Sequence, residues 1–270
     1  MNTLEKPMTH KPKITLICLD RDNLLFKQMY NQYSKTHDIQ VWEISQNVGV
    51  VEETHTALII PSVTNFSNGQ TIDYIRKMGE TIIKDKKFTR VILLSSSKVY
   101  GVSNNQNDLF IESSPCRPYD ITSGNFTLIE DELIFQYRRF SDKFPLIVLR
   151  ICEIISKERV EQMINLIKSH STKTVDYTQY NFIYIEDVVQ AISVVSSSSF
   201  VGKKYNVTSS EKYSYEDIYD IVTENQIRRY ENNEIIQYNL SDGGFILREL
   251  KWKAHTPVKE IIQSIMREFK

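Results

Sequence analysis

Short apolar runs and amphipathic stripes alternate along almost the whole chain, and that alternation predicts a sheet with helices on both faces. Ile14 to Leu19 is an apolar run, Leu24 to Tyr33 is helix-like, and Ile39 to Ile44 and Thr56 to Ile60 are short strand-like runs. Asn68 to Lys86 carries Ile72, Ile75, Met78, Ile82 and Ile83 at helical spacing. Val91 to Leu94 is strand-like and ends in three serines; Phe126, Ile129, Leu133 and Tyr137 then recur as a helical stripe. Leu146 to Leu149, Phe182 to Ile185 and Tyr205 to Val207 are further strands. The stripe Val160, Met163, Ile164, Ile167 and the stretch Val188 to Val195 are further helices. Strands that alternate with helices pair in parallel through right-handed crossovers, so the expected class is α/β with a doubly wound parallel sheet.

Toward the C-terminus, Ser214 with Glu216 and Asp217 has the chemistry of a helix cap. Thr256-Pro257 starts a last helix whose apolar face is Val258, Ile261, Ile262, Ile265 and Phe269. Ser196 to Ser199 reads as a surface loop, and no internal repeat is present. The expected organisation is a flexible tail at 1–12, a core at 13–150, and the remaining strands with a small C-terminal lobe at 151–270, all in one compact unit.

Charge narrows the function. There are 33 basic and 34 acidic residues, a formal net charge of −1, with no run of Lys or Arg. Nucleic acid and anionic membrane surfaces are therefore excluded as expected partners. No apolar stretch reaches the roughly 20 residues needed to span a bilayer, and the N-terminal segment has no hydrophobic leader. The 3 cysteines, Cys18, Cys116 and Cys152, form no CxxC pair, and their odd count points to a reduced, cytoplasmic compartment. The frequent Ile, Lys and Asn suggest an AT-rich bacterial genome. The 5 histidines, His10, His37, His55, His170 and His255, show no metal-ligand spacing, so no metal is expected. Tyr213, Tyr215 and Tyr219 are read as packing residues or a helix face rather than a stacking platform.

Several segments, in order, carry a resemblance. Ser95-Ser96-Ser97-Lys98-Val99-Tyr100-Gly101 closes a strand; Glu112, Pro115, Pro118 and Glu130 follow; then come Leu149-Arg150 and the aromatic Phe182-Ile183-Tyr184-Ile185-Glu186-Asp187-Val188. Lys204-Tyr205-Asn206-Val207 and the run Leu247 to Pro257, with Leu250, Trp252 and Pro257, complete the series. In this order they resemble the extended short-chain dehydrogenases/reductases, the sugar-nucleotide epimerase/dehydratase family. The resemblance covers most of residues 14–270 and implies a Rossmann-like fold with a small substrate lobe. That lobe is expected to be reduced, because the stretch from Cys152 to Tyr180 is short for the family.

The departures from that family bear on function. Its first strand should lead into a GxxGxxG loop, whose glycines let backbone amides reach a pyrophosphate at a helix start. Here those positions are Leu19, Asp22 and Leu25, and Asp20 and Asp22 add carboxylates that would repel a pyrophosphate. Glu43 stands where the family places its ribose-binding acid. The family's Tyr-x-x-x-Lys, which moves a proton while the cofactor moves hydride, falls on Thr122 and Phe126. Shifting the register to Tyr119 puts Ser123 at the lysine place, and none of the 15 tyrosines has a lysine four residues on. Ser97 remains at the third catalytic position, and Phe126 joins an apolar stripe that is read as core or interface. Lys251 replaces the glycine of the late segment.

These departures imply a non-catalytic or impaired homologue that acts by binding, as a regulatory or scaffolding protein. No cofactor is expected; NAD or NADP would need a glycine-free cradle. The expected partner is another protein or a second copy, through the helices 68–86 and 123–140. An alternative is an enzyme with altered chemistry on a nucleotide or sugar, using Ser97, Tyr100, Glu43, Asp20 and Asp22 in the cleft. A second alternative rests on Asp20-x-Asp22 after an apolar strand, which resembles the first motif of Mg²⁺-dependent haloacid-dehalogenase-like phosphatases, with Ser95 and Glu186-Asp187 as later motifs.

Overall fold

The computed structural model describes residues 11–18, 21–43, 56–61, 73, 76–77, 79–80, 82, 88–140, 145–168, 178–223 and 236–268. The chain runs β1 (Lys13–Cys18), α1 (Leu24–Tyr33), β2 (Asp38–Glu43), β3 (Thr56–Ile60) and β4 (Arg90–Ser96). A short 3-10 turn (Ser97–Tyr100) leads by a long loop to α2 (Ile121–Phe140), β5 (Leu146–Ile151) and β6 (Glu153–Ile155). Then follow α3 (Lys157–Lys168), β7 (Gln179–Tyr184), α4 (Ile185–Ser197), β8 (Lys204–Val207) and β9 (Lys212–Tyr213). The last elements are α5 (Tyr215–Thr223), β10 (Tyr238–Asn239), α6 (Gly244–Leu250) and α7 (Val258–Glu268). Between β3 and β4, residues 73, 76, 77, 79, 80 and 82 are helical.

Six strands form one parallel sheet in the order β2-β1-β3-β4-β5-β8. β3 and β5 are buried along their whole length. That explains why they read as largely apolar stretches rather than alternating patterns, Leu58–Ile60 in β3 and Leu146–Leu149 in β5: both faces are covered. The order reverses at β1, which has β2 on one side and β3 on the other. A crevice opens outside the carboxyl ends of the strands at such a switch point.

Each face has its own core. On one, Phe26, Met29 and Tyr33 of α1 and Val188, Ala191, Ile192 and Val195 of α4 pack on Leu16, Leu58 and Leu149. On the other, Ile129, Leu133 and Tyr137 of α2 pack on Ile59, Leu93 and Val148, and Phe126 joins at the margin. The stripe read from the sequence is thus the inward face of α2. Burying a side chain such as Leu133 contributes about 2 kcal/mol.

The chain leaves this sheet at Cys152 and enters a smaller one in the order β10-β7-β6, with β9 antiparallel to β7. α3, α5 and α7 cover it through Val160, Ile218, Val222, Val258, Ile262 and Ile265. Distant side chains fix its helix ends. Asp187 accepts from the amides of His255 and Thr256, and Glu211 from that of Val258, so carboxylates cap the start of α7. The serine run differs in part from its reading as a loop: α4 continues through Ser197, and only Ser198 and Ser199 lie beyond it. The Arg90 guanidinium donates to the carbonyls of Val195, Ser196 and Ser198, and so caps the helix end. Lys251 closes α6 in the left-handed region at φ 57°, the backbone conformation that explains why a glycine suits this position.

Candidate functional site

The first corner lies where β1 turns into α1. Asn23 caps the helix, and its side-chain Oδ1 accepts the Phe26 amide at 3.2 Å. One of the amides that a helix start can offer to an anion is therefore already bonded. Arg21 Nε lies 3.3 Å from Glu43 Oε2, bridging the strand ends of β1 and β2. Asp22 pairs with Lys27 at 2.8 Å, at the surface. Leu25 packs against the core. Leu19 and Asp20 lie outside the described residues.

The second corner lies at the carboxyl ends of β4, β5 and β8. Glu130 of α2 and Arg150 of β5 are each only 1% exposed, joined at 2.6 Å through Arg150 Nη2 and at 3.0 Å through Nε. The Ser95 hydroxyl donates to Glu130 Oε1 at 2.6 Å, and Lys204 Nζ lies 3.2 Å from Oε2. Burial alone would raise the Glu130 pKa; the Arg150 hydrogen bonds and charge, with Lys204 and Ser95, hold it below the usual carboxylate value. Arg150 also lies over the Tyr100 ring at 4.8 Å, and that ring stacks on Phe110 at 5.2 Å.

The structure places two sequence candidates inside this frame. The Tyr100 hydroxyl donates to Asn206 Oδ1 at 2.6 Å, and burial pushes its pKa up to about 12. The Ser97 hydroxyl donates to Asn239 Oδ1 at 3.0 Å, while the Asn239 amide returns bonds to the Ser97 and Gly101 carbonyls. Both side chains are buried and tie the strand end to β8 and β10. Ser96 is the less buried neighbour, and its Oγ caps the 3-10 turn by accepting the Lys98 amide. Thr122 sits in the first turn of α2, whose start is closed by Asp120 and Ser123 bonding each other's amides. Phe126, one turn on, packs toward the sheet.

A third cluster, between the two sheets, centres on Lys98 and Glu153, which were not read from the sequence as site residues, and takes in Tyr119 and Tyr215 beside Tyr180. Lys98 Nζ lies 2.9 Å from Glu153 Oε1, at 24% and 15% side-chain exposure, and 5.3 Å from the centre of the Tyr180 ring. The Tyr215 hydroxyl donates to Glu153 Oε2, and the Tyr119 and Tyr180 hydroxyls are 3.4 Å apart. Burial opposes the Lys98 charge, yet Glu153, with Tyr215 and Tyr119, holds its pKa above the ordinary lysine value. Tyr119 is partly exposed and burial raises its pKa. The arrangement offers a cation, a carboxylate and phenols around one seam, groups able to donate to and accept from a polar ligand. The available signal was Lys98 within the serine-rich strand end and Glu153 just past β5, but no fixed spacing links them.

The sequence profile of the NAD dependent epimerase/dehydratase family matches residues 17–208. The chain belongs to that family. A dTDP-D-glucose 4,6-dehydratase of Dictyostelium discoideum is 24% identical over 155 residues, which is 50% of this chain and 35% of that protein. The chain is therefore matched to about a third of the length of this curated relative. Among solved structures, the Bordetella bronchiseptica enzyme WbmG in complex with NAD superposes with a TM-score of 0.74 at 14% identity, over 97% of this chain and 95% of that one. A Bacillus anthracis dTDP-glucose 4,6-dehydratase in complex with NAD gives 0.74 at 13% identity, over 96% of each chain. A Thermotoga maritima UDP-glucose 4-epimerase with UDP-glucose gives 0.71 at 11% identity, over 95% of this chain and 98% of that one. These likenesses show the Rossmann-like fold of the epimerase/dehydratase family.

Family membership sets aside the phosphatase reading. Asp187, one of its expected metal acids, is buried and committed to the start of α7. Among the described residues, no three His, Cys, Asp or Glu side chains are grouped to hold a metal ion, and no helix is long and apolar enough to cross a membrane. Tyr213 and Tyr215 pack in the small lobe, as read from the sequence.

Proposed function

We propose that this member of the epimerase/dehydratase family is a non-catalytic or catalytically impaired homologue that works by binding, as a regulatory or scaffolding protein. The observation that carries the proposal is the β1–α1 corner, where the chain's own side chains make the bonds that a glycine loop would leave to a ligand. Asn23 takes the Phe26 amide, Arg21 holds Glu43, and Leu25 packs inward. This set does not fit a dinucleotide, whose pyrophosphate needs open amides and close backbone approach. Thr122 and Phe126 at the places of the family's tyrosine and lysine support the same reading. Cys18, Cys116 and Cys152 form no disulfide, which suits a cytoplasmic setting.

The test is a thermal shift of the purified chain with NAD⁺, NADH, NADP⁺ and NADPH at millimolar concentration. A ligand at 100 times its Kd stabilises by about 2.7 kcal/mol, which moves Tm by several degrees. No shift is expected. A saturable shift would mean that a glycine-free cradle exists, and would overturn the reading.

The binding role calls for a protein partner or a homodimer through the helices 68–86 and 123–140. Of the first helix, Asp73, Arg76, Lys77 and Glu80 are exposed. It lies close beside α2: a Cβ on Gly79 would meet Gln136 Oε1 at 1.6 Å.

One observation favours a second reading, altered chemistry on a nucleotide or sugar: the Lys98–Glu153 pair with Tyr119, Tyr180 and Tyr215 around it. The Thermotoga maritima structure was solved with UDP-glucose, so UDP-glucose is the first probe. A shift present in the wild type and lost in Lys98→Met would support this reading; no shift in either would remove it.

A further inference from the structure

The small sheet has two faces, and the clusters described above use only one of them. Residues paired in register on neighbouring strands point to the same side, and successive residues to opposite sides. Asn239 is in register with Tyr180, and these two meet Ser97 and Lys98. Tyr238 is in register with Gln179, and Lys212 with Asn181, so Tyr238, Gln179 and Lys212 share the opposite face. There they line a cavity of about 450 Å³, a volume within the ~300–1,000 Å³ usual for small-molecule pockets. Buried Leu240 and half-buried Ile236 add aliphatic surface beside the Tyr238 ring.

The rim is a turn that the chain holds ready. Ser103 and Tyr238 exchange backbone hydrogen bonds at 2.8 Å in both directions, which ties the turn to β10. Asp108 accepts from the Ser103 hydroxyl at 2.6 Å and from Asn105 Nδ2 at 3.0 Å, and Asn105 Oδ1 accepts the Asn107 amide. The carboxylate of the turn is thereby used, while the exposed Gln106 and Asn107 line the cavity. Gln179 Nε2 donates to Asp217 Oδ2 at 3.0 Å, which holds that carboxamide in place with its oxygen still able to accept. Glu211, beside Lys212 in sequence, accepts from the Tyr213 hydroxyl and the Val258 amide. Among the described residues, the lining carries one cation, Lys212, and no carboxylate.

We propose that this cavity binds a carboxylated sugar. The Tyr238 ring with Ile236 and Leu240 takes the apolar C–H face of the sugar ring. The carboxamides of Gln106, Asn107 and Gln179 each set a donor beside an acceptor, the pattern that neighbouring hydroxyls require. Lys212 pairs with the carboxylate, a charge-assisted bond that a neutral sugar cannot make. Lys212 lies two strands from Tyr238, on the order of 10 Å at about 4.8 Å per strand, a span that the lysine stem and one sugar ring fill together. The site goes beyond the reading above and does not rest on it, since neither the β1–α1 corner nor the Lys98 seam contributes a residue.

The experiment titrates the full chain with glucuronate, and with glucose at equal concentration, by saturation-transfer NMR. The variants Lys212→Met, Gln106→Ala and Tyr238→Val stand beside the wild type. Lys212 and Gln106 are exposed, so their variants keep the fold even where Tyr238→Val loses stability. The expected result is saturable binding of glucuronate, with Kd raised at least about 10-fold in Lys212→Met and partly restored in Lys212→Arg. Glucose should bind more weakly than glucuronate and equally in the wild type and Lys212→Met. Methyl glucuronide separates two sources of the ligand: binding like that of the free acid marks the end of a glycan, and failure to bind marks the free acid, each in support of the site. No binding at about 10 mM glucuronate, or binding that Lys212→Met and Gln106→Ala both leave unchanged, overturns the proposal. Binding lost in Lys98→Met but kept in Lys212→Met places the ligand in the seam and overturns it too. None of these outcomes bears on the cofactor titration.

Discussion

The two corners of the parallel sheet handle charge in opposite ways. At the β1–α1 corner the ion pairs are wet: Arg21 and Lys27 are each about half exposed, facing Glu43 and Asp22. At the β4–β5–β8 corner, Glu130 and Arg150 are sealed from water, and Ser95 and Lys204 complete the bonding of the carboxylate. Exposed pairs contribute little to stability, so such positions can carry Asp, Asn or Arg in place of ligand-binding residues at small cost to the fold. Removing one member of a sealed pair strands the other in low dielectric. The sheet can therefore change its ligand chemistry at one corner while the other holds strands, helix and small lobe in register.

The strongest way to break this comparison is Arg150→Met. It leaves the Glu130 carboxylate buried and unpaired, and the unfolding free energy in urea should fall by about 3–5 kcal/mol. A loss under about 1 kcal/mol would erase the contrast. The pH dependence sharpens it. The folded Glu130 pKa lies below its ordinary value of 4.5, so its stabilisation is fully present above about pH 4.5 and is lost as pH falls through the folded pKa. The stability gap between the wild type and Glu130→Gln should be flat from pH 5 to 7 and narrow at lower pH; a gap that widens in acid contradicts the pairing.

At the wet corner the effects shrink. Asn23→Ala removes the side-chain cap of α1 and should cost about 1 kcal/mol in the same urea measurement. Arg21→Gln should change stability by no more than about 0.5 kcal/mol, and less in high salt. A cost equal to that of Arg150→Met would mean that the two corners are not different in kind.

Much of the fold was legible because parallel strands buried on both faces are mostly apolar and their covering helices are striped. β3, β5 and α2 all show this. The serine run misled because the stabilisation of the end of α4 comes from Arg90, more than a hundred residues earlier. The reading of the glycine-free β1–α1 segment and of Thr122 and Phe126 came from the family resemblance, not from a local physical pattern. Ser97 and Tyr100 were readable as strand-end residues, but their partners Asn239 and Asn206 lie 142 and 106 residues away. No local pattern announces such a pairing.

The sequence by itself determined the periodicities, and with them the α/β class, and it carried the motifs that mark the family. Only the tertiary structure decided which side chains share a site. It brought Glu130 to Arg150, Arg21 to Glu43, and Lys98 to Glu153 and the tyrosines of the small lobe. The reason is physical: burial patterns are set by neighbours along the chain, whereas charge pairing and ligand geometry depend on groups that meet only after the strands have crossed over and packed.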